Sequence, residues 1–549
     1  MANQTLFING KVFQPPHDGP VSSKDAVASF QPCLLVEGGL IKHVGPESDA
    51  VIAQAKAAGV PTRDLAGRTV LPGFIDGHIH LLILGQSLAK AGLEACASLS
   101  DIRDTIRAYA AAHPELPRIL CRGWMHSMTP DGVSSADLDD LDPLGRPIFV
   151  DTKDLHSTWC STSALAEVGV ADTPDPVGGK IHRDPATGAP TGLLEEAAVF
   201  TIMWPFMARV ASVEERAAAV EAAVRAYNAA GYTGLIDMAM DEDLWEAVLA
   251  LRAREPDLPM RIAAYWLIRP GAEADSLAMV DRAQQLAAEF NADSSPNCRV
   301  VGIKIICDGI IDACTASLRE PYSSNGADTG PIWTKEQLLP VVRRAAAAGL
   351  QVALHAIGDA TIGTAIDVLE ACTTAAQRPR IEHLELASAE DAARLGRLGI
   401  TASVQPVHSD PAILRAWPRL IGEHRCGRAF AYREFADGGA PLALGSDAPT
   451  APHAPLANAY VATTRRSARQ PESTEVVNEH FALGLCESVV AGTRGAAYSC
   501  FADGWTGSLA AGKKADFVVC EMEWDKEKLL SAKVQETWFE GRQVYVSEE

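Results

Sequence analysis

Eight short apolar segments separated by alanine-rich stretches are the feature that most restricts how this chain can fold. Helix signals lie between the segments, since Thr334 with Gln337 and Ser388 with Asp391 have the spacing of helix-capping pairs. Strands that alternate with helices favour a parallel sheet, and eight such units predict a closed (β/α)8 TIM barrel of the α/β class. The predicted barrel strands are residues 73–80, 233–239, 260–268, 300–308, 351–357, 380–384, 401–406 and 441–447.

Both ends of the chain carry strand–turn–strand patterns, such as CLLVEGGLIKHVG near the start and VQETWFEGRQVYV near the end. Because isolated hairpins are only marginally stable, we expect residues 1–72 and 505–549 to combine into one small β-sandwich domain. The barrel then occupies residues 73–504. The long link after its first strand, about residues 86–230, predicts an inserted subdomain above the barrel mouth.

Charge and cysteine content exclude several classes of protein. A formal net charge of −22 argues against nucleic acid and anionic membranes as partners, because both bind through clustered lysine and arginine. The start, MANQTLFING, does not resemble a signal peptide, and no run of about 18 apolar residues follows, so we expect a soluble cytoplasmic protein. The 12 cysteines include no Cys-x-x-Cys pair. We expect a small-molecule substrate and, by default, a homodimer.

The first predicted strand ends in GFIDGHIH, residues 73–80. Because side chains of an extended strand alternate between its two faces, Asp76, His78 and His80 share one face. Two imidazoles on one face can hold one cation, but a His-x-His pair is also common by chance. Further ligands must therefore come from other strands.

Polar residues near the carboxyl ends of other predicted strands supply such ligands. Taken singly, each has an ordinary explanation: Asp447 in GSDAP could start a turn, and a histidine ending a strand is more often a satisfied polar group. Lys304 interrupts the apolar run VGIKIIC, where a buried cation needs a partner or a chemical change. Since barrels of this type keep their chemistry at the carboxyl ends of the strands, six residues together predict one site. They are His78, His80, Lys304, His355, His383 and Asp447.

The motifs LPGFIDGHIHL, GIKIICDG, VALHAIGD, RIEH, SVQPVH and LALGSDAP, in this order, resemble the amidohydrolase superfamily and its branch of N-substituted formamide deformylase-like enzymes. The resemblance covers nearly the whole chain. It implies one divalent metal ion bound by His78, His80 and Asp447. It also implies a second ion, bridged to the first by a carbamylated lysine and bound by His355 and His383. Nitrogen and oxygen ligands of this kind favour zinc.

The resemblance implies hydrolysis of a non-peptide, amide-type C–N bond by metal-activated hydroxide, with a carboxylate and an amine as products. Carbamylation of Lys304 would turn a buried cation into an anionic oxygen donor, and Asp447 would be the catalytic proton acceptor. The alternatives are a mononuclear deaminase or cyclic amide hydrolase of the same superfamily, and a non-catalytic binding or regulatory protein. Gly358 stands where a deaminase would carry glutamate, and a binding protein would have lost ligands, so these two alternatives are disfavoured, whereas the cyclic amide hydrolase stays open.

Other residues are predicted to serve the site because of their positions. Asp308 shares a strand face with Lys304, and we expect it to orient a ligand or a water. The inserted subdomain and the loops after strands four and seven are expected to set substrate specificity. The predicted substrate-binding residues are Trp124, His126, His156, Tyr322, Gln405 and His408.

Overall fold

Eight parallel strands form a closed barrel, in a computed structural model that describes residues 4–17, 23–153, 157–176, 179–196 and 198–548. The strands are neighbours in chain order, and a parallel bridge between Ile79 and Ala448 joins the eighth to the first. The predicted (β/α)8 TIM barrel is therefore confirmed. The barrel strands are Phe74–Ile79, Tyr232–Met240, Arg261–Ile268, Cys298–Ile306, Gln351–Ala356, Arg380–His383, Thr401–Val404 and Leu442–Leu444.

Helices alternate with these strands and begin where the sequence predicts. The Thr334 hydroxyl accepts from the backbone N–H of Gln337, whose side chain accepts from the Thr334 N–H, which is a complete capping box. Ser388 caps the next helix but one by accepting from Asp391 N–H. The main helices after strand three are Glu273–Glu289, Lys335–Ala347, Asp359–Cys372, Ala389–Leu398, Tyr432–Asp437, Pro455–Thr464, Leu485–Val490 and Ala496–Ser499. Shorter helices are Pro411–Leu414, Trp417–Ile421 and Glu423–Cys426.

Both chain ends contribute to a pair of β-sheets that pack on one another. The four-stranded sheet has the order Leu40–Gly45, Cys33–Glu37, Gln4–Ile8 and Thr62–Asp64. The six-stranded sheet has the order Arg542–Val546, Lys533–Phe539, Phe517–Glu521, Thr69–Pro72, Lys11–Gln14 and Ser29–Gln31. The ring of Phe7 lies 5.2 Å from that of Phe517 and 5.0 Å from that of Trp538, so the two ends share one core. This is the small sandwich expected from the hairpin patterns.

The chain divides into two compact units. The barrel unit comprises residues 1–81, 224–241 and 257–549, and the inserted unit comprises residues 82–223 and 242–256. The second segment of the inserted unit contains the helix Glu242–Arg254. Two ion pairs join this helix to the preceding helix of the chain, Arg216 with Glu246 at 3.0 Å and Arg254 with Glu221. Within the described residues, no helix is long and apolar enough to cross a lipid bilayer.

The inserted unit has a six-stranded sheet and its own hydrophobic core. Trp124 and Trp159 lie at the centre of that core, with ring centroids 5.5 Å apart. The strand order is Gly179–Arg183, Pro190–Glu196, Ser157–Cys160, Ile148–Thr152, Ile119–Trp124 and Ala91–Gly92. The helices of this part of the chain are Leu81–Leu88, Leu99–Ala112, Thr162–Val168, Trp204–Val210, Val213–Ala229 and Glu242–Arg254.

Truncating Phe7 tests whether the two chain ends stabilise each other. The ring is about 1% exposed, so Phe7→Ala removes a buried aromatic group and should cost about 3–5 kcal/mol of unfolding free energy. The matched control is Val546→Ala, because Val546 is 57% exposed and should change stability by no more than about 0.5 kcal/mol. Thermal denaturation measures both. Equal melting temperatures for the two variants would contradict the shared core.

Candidate metal centre

The six strand-end residues predicted as ligands converge on the carboxyl-terminal mouth of the barrel. His78 Nε2 lies 3.5 Å from Asp447 Oδ1, and His80 Nε2 lies 3.2 Å from the same oxygen. The ring of His383 lies 4.8 Å from that of His78 and 4.4 Å from that of His355. The barrel therefore gathers these imidazoles and Asp447 around one volume.

Lys304 belongs to the same cluster. Its side chain is buried, and its charge acts on His78, His355 and His383. Burial lowers the pKa of the Lys304 amine below its usual value, although Glu382 and Asp447 oppose the shift.

The backbone adopts sparsely populated conformations at two of the predicted ligands. His383 has φ 76° and Asp447 has φ 59°, both in the left-handed region that non-glycine residues rarely enter. Asp447 N–H donates to the carbonyl of His78 at 2.8 Å, and His80 N–H donates to that of Ala448 at 3.0 Å. These bonds hold the end of strand eight against the end of strand one. Such strain persists only where the surrounding structure imposes it, and it is concentrated at functional sites.

The donor atoms of this cluster fit a divalent cation. His78 Nε2, His383 Nδ1 and Asp447 Oδ1 are buried, and none has a hydrogen-bond partner among the described residues. A buried polar atom without a partner costs about 1–3 kcal/mol, so three together call for a ligand that satisfies them. Across a tetrahedral zinc with bonds of about 2.0–2.1 Å, two donors are separated by about 3.4 Å. The distances of 3.2 and 3.5 Å agree with that separation.

Glu382 determines which nitrogen of His78 can bind a cation. The sequence did not predict this role for Glu382. Glu382 Oε2 lies 2.8 Å from His78 Nδ1. Burial raises the pKa of Glu382, but the Arg380 guanidinium and His78 outweigh it and hold that pKa well below its usual range. An ionised carboxylate only accepts hydrogen bonds, so His78 Nδ1 donates. Burial and the Lys304 charge lower the pKa of His78 to about 4, which leaves Nε2 with a free lone pair.

Arg380 secures Glu382 inside the barrel. Its Nε donates to Glu382 Oε1 at 2.9 Å, and its Nη2 donates to the Gly77 carbonyl at 2.7 Å and to Ser403 Oγ at 2.8 Å. Both side chains are fully buried. The motif RIEH could have indicated this pair, because its two opposite charges lie two residues apart on one face of an otherwise buried strand.

Asp76 joins the end of strand one to the segment after strand eight, next to the predicted ligands. Its Oδ1 accepts from the backbone N–H of His78 at 3.1 Å and of Ser446 at 2.9 Å. Its Oδ2 accepts from Ser446 Oγ at 2.6 Å and from the Tyr227 hydroxyl at 2.9 Å. Burial raises the pKa of Asp76 to about 6 despite these bonds. The pattern GFIDGHIH placed Asp76 on the histidine face, but only the folded chain identifies its partners.

Asp308 joins the loops that follow strands four and five. Its carboxylate accepts from the backbone N–H groups of Ser317 at 3.1 Å, Ile357 at 3.1 Å and Gly358 at 2.9 Å. Oδ1 also lies 3.5 Å from His355 Nε2. Burial raises the pKa of Asp308 to about 7. The structure therefore places Asp308 beside a predicted ligand and in contact with three backbone amides.

Three of the predicted substrate-binding residues lie in the barrel unit. His408 Nε2 is 3.6 Å from Asp447 Oδ2. The Gln405 side chain is buried, and neither its oxygen nor its nitrogen has a partner among the described residues. Tyr322 is buried within the loop after strand four, where its hydroxyl donates to the Ala316 carbonyl at 3.0 Å. This hydrogen bond stabilises the loop, and the substrate contact of Tyr322 stays a prediction.

The other three lie in the insertion. Trp124 is fully buried in the core of the inserted unit, and its Nε1 donates to Thr129 Oγ1 at 3.1 Å. This placement favours a packing role over the substrate contact predicted from the sequence, because an aromatic ring ending an internal strand fills the core beside it. His126 is exposed, with Nε2 3.3 Å from Ser157 Oγ. His156 lies outside the described residues.

Replacing Arg380 by Met tests whether the Arg380–Glu382 ion pair stabilises the barrel interior next to His78. The change leaves the buried Glu382 carboxylate without its guanidinium, and loss of one partner of a buried pair costs about 3–5 kcal/mol. The matched control is Arg415→Met, because Arg415 and Glu475 form an exposed pair at 3.0 Å whose loss should have little effect. Chemical denaturation of metal-free protein measures the difference. An Arg380→Met variant as stable as the control would contradict the assigned role.

Comparisons with known proteins show to which family the chain belongs. The profile of the Amidohydrolase family matches residues 62–545. The protein LONG AFTER FAR-RED 3 of Arabidopsis thaliana is 29% identical over 546 residues, which cover 96% of this chain and 91% of that protein. An N-substituted formamide deformylase of Arthrobacter pascens is 25% identical over 528 residues, covering 92% of each chain.

A solved structure supports the fold over the full length. An uncharacterized metal-dependent hydrolase from Pyrococcus horikoshii OT3 superposes with a TM-score of 0.78 over 99% of this chain and 100% of its own, at 22% identity. At that identity the likeness establishes the architecture alone. The family profile spans most of the chain and includes all six strand-end residues. With the converging donors at the barrel mouth, it identifies the chain as a metal-dependent hydrolase of the amidohydrolase family.

Proposed function

We propose that this protein hydrolyses a non-peptide, amide-type C–N bond of a small molecule to a carboxylate and an amine. The observation that carries the proposal is the cluster of His78, His80 and Asp447, whose ligand atoms all lie within 4.8 Å of one another. These residues would hold a divalent cation, and their nitrogen and oxygen donors suit zinc. When bound, the cation would polarise the substrate carbonyl and make an adjacent water acidic enough to lose a proton near pH 7.

Asp447 is the residue proposed to move the proton. Burial raises its pKa, but the neighbouring imidazoles of His78, His80 and His383 outweigh burial and hold that pKa well below its usual value, so the carboxylate is ionised. Oδ1 faces His78 and His80, whereas Oδ2 faces His408. The carboxylate can therefore accept a proton from the attacking water and donate it to the leaving nitrogen.

Lys304 belongs to the same proposal as the bridge to a second cation, after carbamylation by carbon dioxide. His355 and His383, whose ring centroids are 4.4 Å apart, would hold that second ion. The support is the position of Lys304, buried in the barrel interior among carboxylates and imidazoles. A carbamate would provide oxygen donors there in place of a desolvated ammonium.

Gln405 is proposed to bind the substrate. It lies two residues beyond Ser403 on strand seven, and the Ser403 hydroxyl accepts from Arg380 inside the barrel. Because side chains at i and i+2 share a face, Gln405 points to the same interior side, nearer the mouth. Its amide has both a donor and an acceptor without partners, which matches the acceptor and donor of an amide.

Metal removal and restoration test the proposed activity. Protein stripped with a chelator should lose hydrolysis of a panel of N-formyl and N-acyl amines, and Zn²⁺ should restore it, with the released amine as the measured product. Cyclic amides and aminated purines or pyrimidines belong in the same panel, since they separate this proposal from its alternatives within the family. Hydrolysis that survives metal removal, or a metal-loaded protein that cleaves none of the C–N bonds in the panel, would exclude the proposed function.

Substitution of Asp447 by Asn separates proton transfer from metal binding. An amide oxygen can still be a ligand but is a poor base, so metal content should stay largely intact while kcat falls by about 10²–10⁴-fold. Asp257→Asn is the matched control because Asp257 is 89% exposed in the same unit. Metal analysis and steady-state kinetics give the two readouts. Full turnover in the Asp447→Asn variant would refute the proton-transfer role.

A further inference from the structure

We propose that Asn458 and Arg465 are positioning residues that hold a substrate-binding turn in register with the proton acceptor. They belong to the helix Pro455–Thr464 and its carboxyl-terminal cap, which follow strand eight. Both bind the strand-seven turn, a 3-10 segment with its caps at residues 405–410. The turn begins with Gln405, the residue proposed to bind the substrate, and the inference rests on that proposed function.

The side chains of Gln405 and His408 have few contacts that would fix them. The Gln405 amide is buried, and neither its oxygen nor its nitrogen has a hydrogen-bond partner among the described residues. The His408 ring lies 3.4 Å from Thr450 Oγ1. It lies 3.5 Å from Glu385 Oε1 and 3.6 Å from Asp447 Oδ2. All three distances exceed the usual hydrogen-bond range of about 2.7–3.2 Å. The positions of both side chains therefore depend on the backbone of the turn.

Asn458 joins that backbone to strand eight. Val407 N–H donates to Asn458 Oδ1 at 2.9 Å, and Asn458 Nδ2 donates to the Gly445 carbonyl at 2.8 Å. Val407 precedes His408, and Gly445 lies two residues before Asp447. Because a backbone N–H only donates and a carbonyl only accepts, both ends of the buried amide have a specified partner. One side chain therefore fixes the distance between the strand-seven turn and the strand end that carries the proton acceptor.

Arg465 holds the turn on the other side of His408. Its Nη1 donates to Ser409 Oγ at 3.0 Å, and the same hydroxyl donates to the Pro406 carbonyl at 2.8 Å. The guanidinium is fully buried and donates also to two backbone carbonyls, and no carboxylate of the described chain pairs with it. Burying a guanidinium without a carboxylate is costly. This cost favours a specific role in fixing the turn over general stabilisation of the fold.

Asp447 is held independently of the turn. Its N–H donates to the His78 carbonyl at 2.8 Å. The Asp76 carboxylate accepts from the N–H of the preceding Ser446 at 2.9 Å and from its hydroxyl at 2.6 Å. Loss of Asn458 would therefore shift the turn relative to a proton acceptor that stays in place. Substrate binding should weaken while proton transfer is kept, and that combination raises KM more than it lowers kcat.

Asn458→Ala and Ser409→Ala test the inference on zinc-loaded full-length protein. The first change removes both the donor and the acceptor that span the two segments, and the second removes only the hydroxyl that Arg465 binds. For the best substrate among the N-formyl and N-acyl amines, KM of Asn458→Ala should rise roughly 10–100-fold, because a misplacement of about 1 Å can cost about 100-fold. KM of Ser409→Ala should rise by a smaller factor. Zinc content should equal that of the wild type in both variants.

The matched control is Asn228→Ala, because Asn228 is a buried asparagine at the other end of the barrel. Its Nδ2 donates to the carbonyls of Tyr232 at 3.0 Å and Pro259 at 3.1 Å, at the starts of strands two and three. This variant should lose stability but keep the wild-type KM. Hydrogen–deuterium exchange gives a readout that needs no substrate. Residues 405–410 should exchange faster in Asn458→Ala, where the Val407 N–H loses its acceptor, and at the wild-type rate in the control.

An Asn458→Ala variant whose KM and exchange rates match those of the control would overturn the inference. So would a rise in KM accompanied by loss of zinc, since the effect would then act through the metal centre. Failure of the proposed function is a separate result. If the wild type hydrolyses no amide of the panel, the activity is refuted, and the exchange of residues 405–410 still decides whether Asn458 holds the turn.

Discussion

Closure of the barrel between its first and eighth strands is the constraint on which the rest of the site depends. The Asp447 N–H donates to the His78 carbonyl, and the Asp76 carboxylate accepts from the backbone of both His78 and Ser446. These bonds join segments that lie at opposite ends of the barrel sequence. They bring Asp447 within 3.5 Å of His78 and within 3.2 Å of His80. A barrel that failed to close would leave the histidines and the carboxylate too far apart to share an ion.

The barrel interior contains two kinds of polar group, those that have hydrogen-bond partners and those that have none. Arg380 and Glu382 satisfy one another and the surrounding backbone, so they form a support. His78 belongs to both classes, since Nδ1 is bonded to Glu382 while Nε2 has no partner. The unpartnered atoms of His78, His383 and Asp447 converge at the barrel mouth. Because burial without a partner is costly, that convergence marks the place where a cation gives the largest gain in stability.

Local patterns in the sequence predicted the features that depend on neighbours along the chain. Period-two alternation placed His78 and His80 on one face, and the capping pair Thr334 with Gln337 gave a helix start. Contacts between distant segments were harder to predict. Nothing in RIEH shows that Glu382 meets His78, because the stagger of barrel strands decides which interior side chains face one another. The role of Trp124 could not be decided from the sequence for the same reason, since an aromatic ring in a strand of unknown partners can lie in a core or in a pocket.

The sequence by itself determined that eight strands and their intervening helices form a barrel, because hydrophobic periodicity and capping are local properties of the chain. It also determined which residues end the strands. Only the tertiary structure decided which ligand atoms remain unsatisfied, which carboxylates have a cation, and that the left-handed turn at His383 and Leu384 brings Glu385 towards His408. The physical reason is that burial and hydrogen-bond satisfaction arise from contacts between segments far apart in the chain. A linear pattern does not specify those contacts until the barrel has closed.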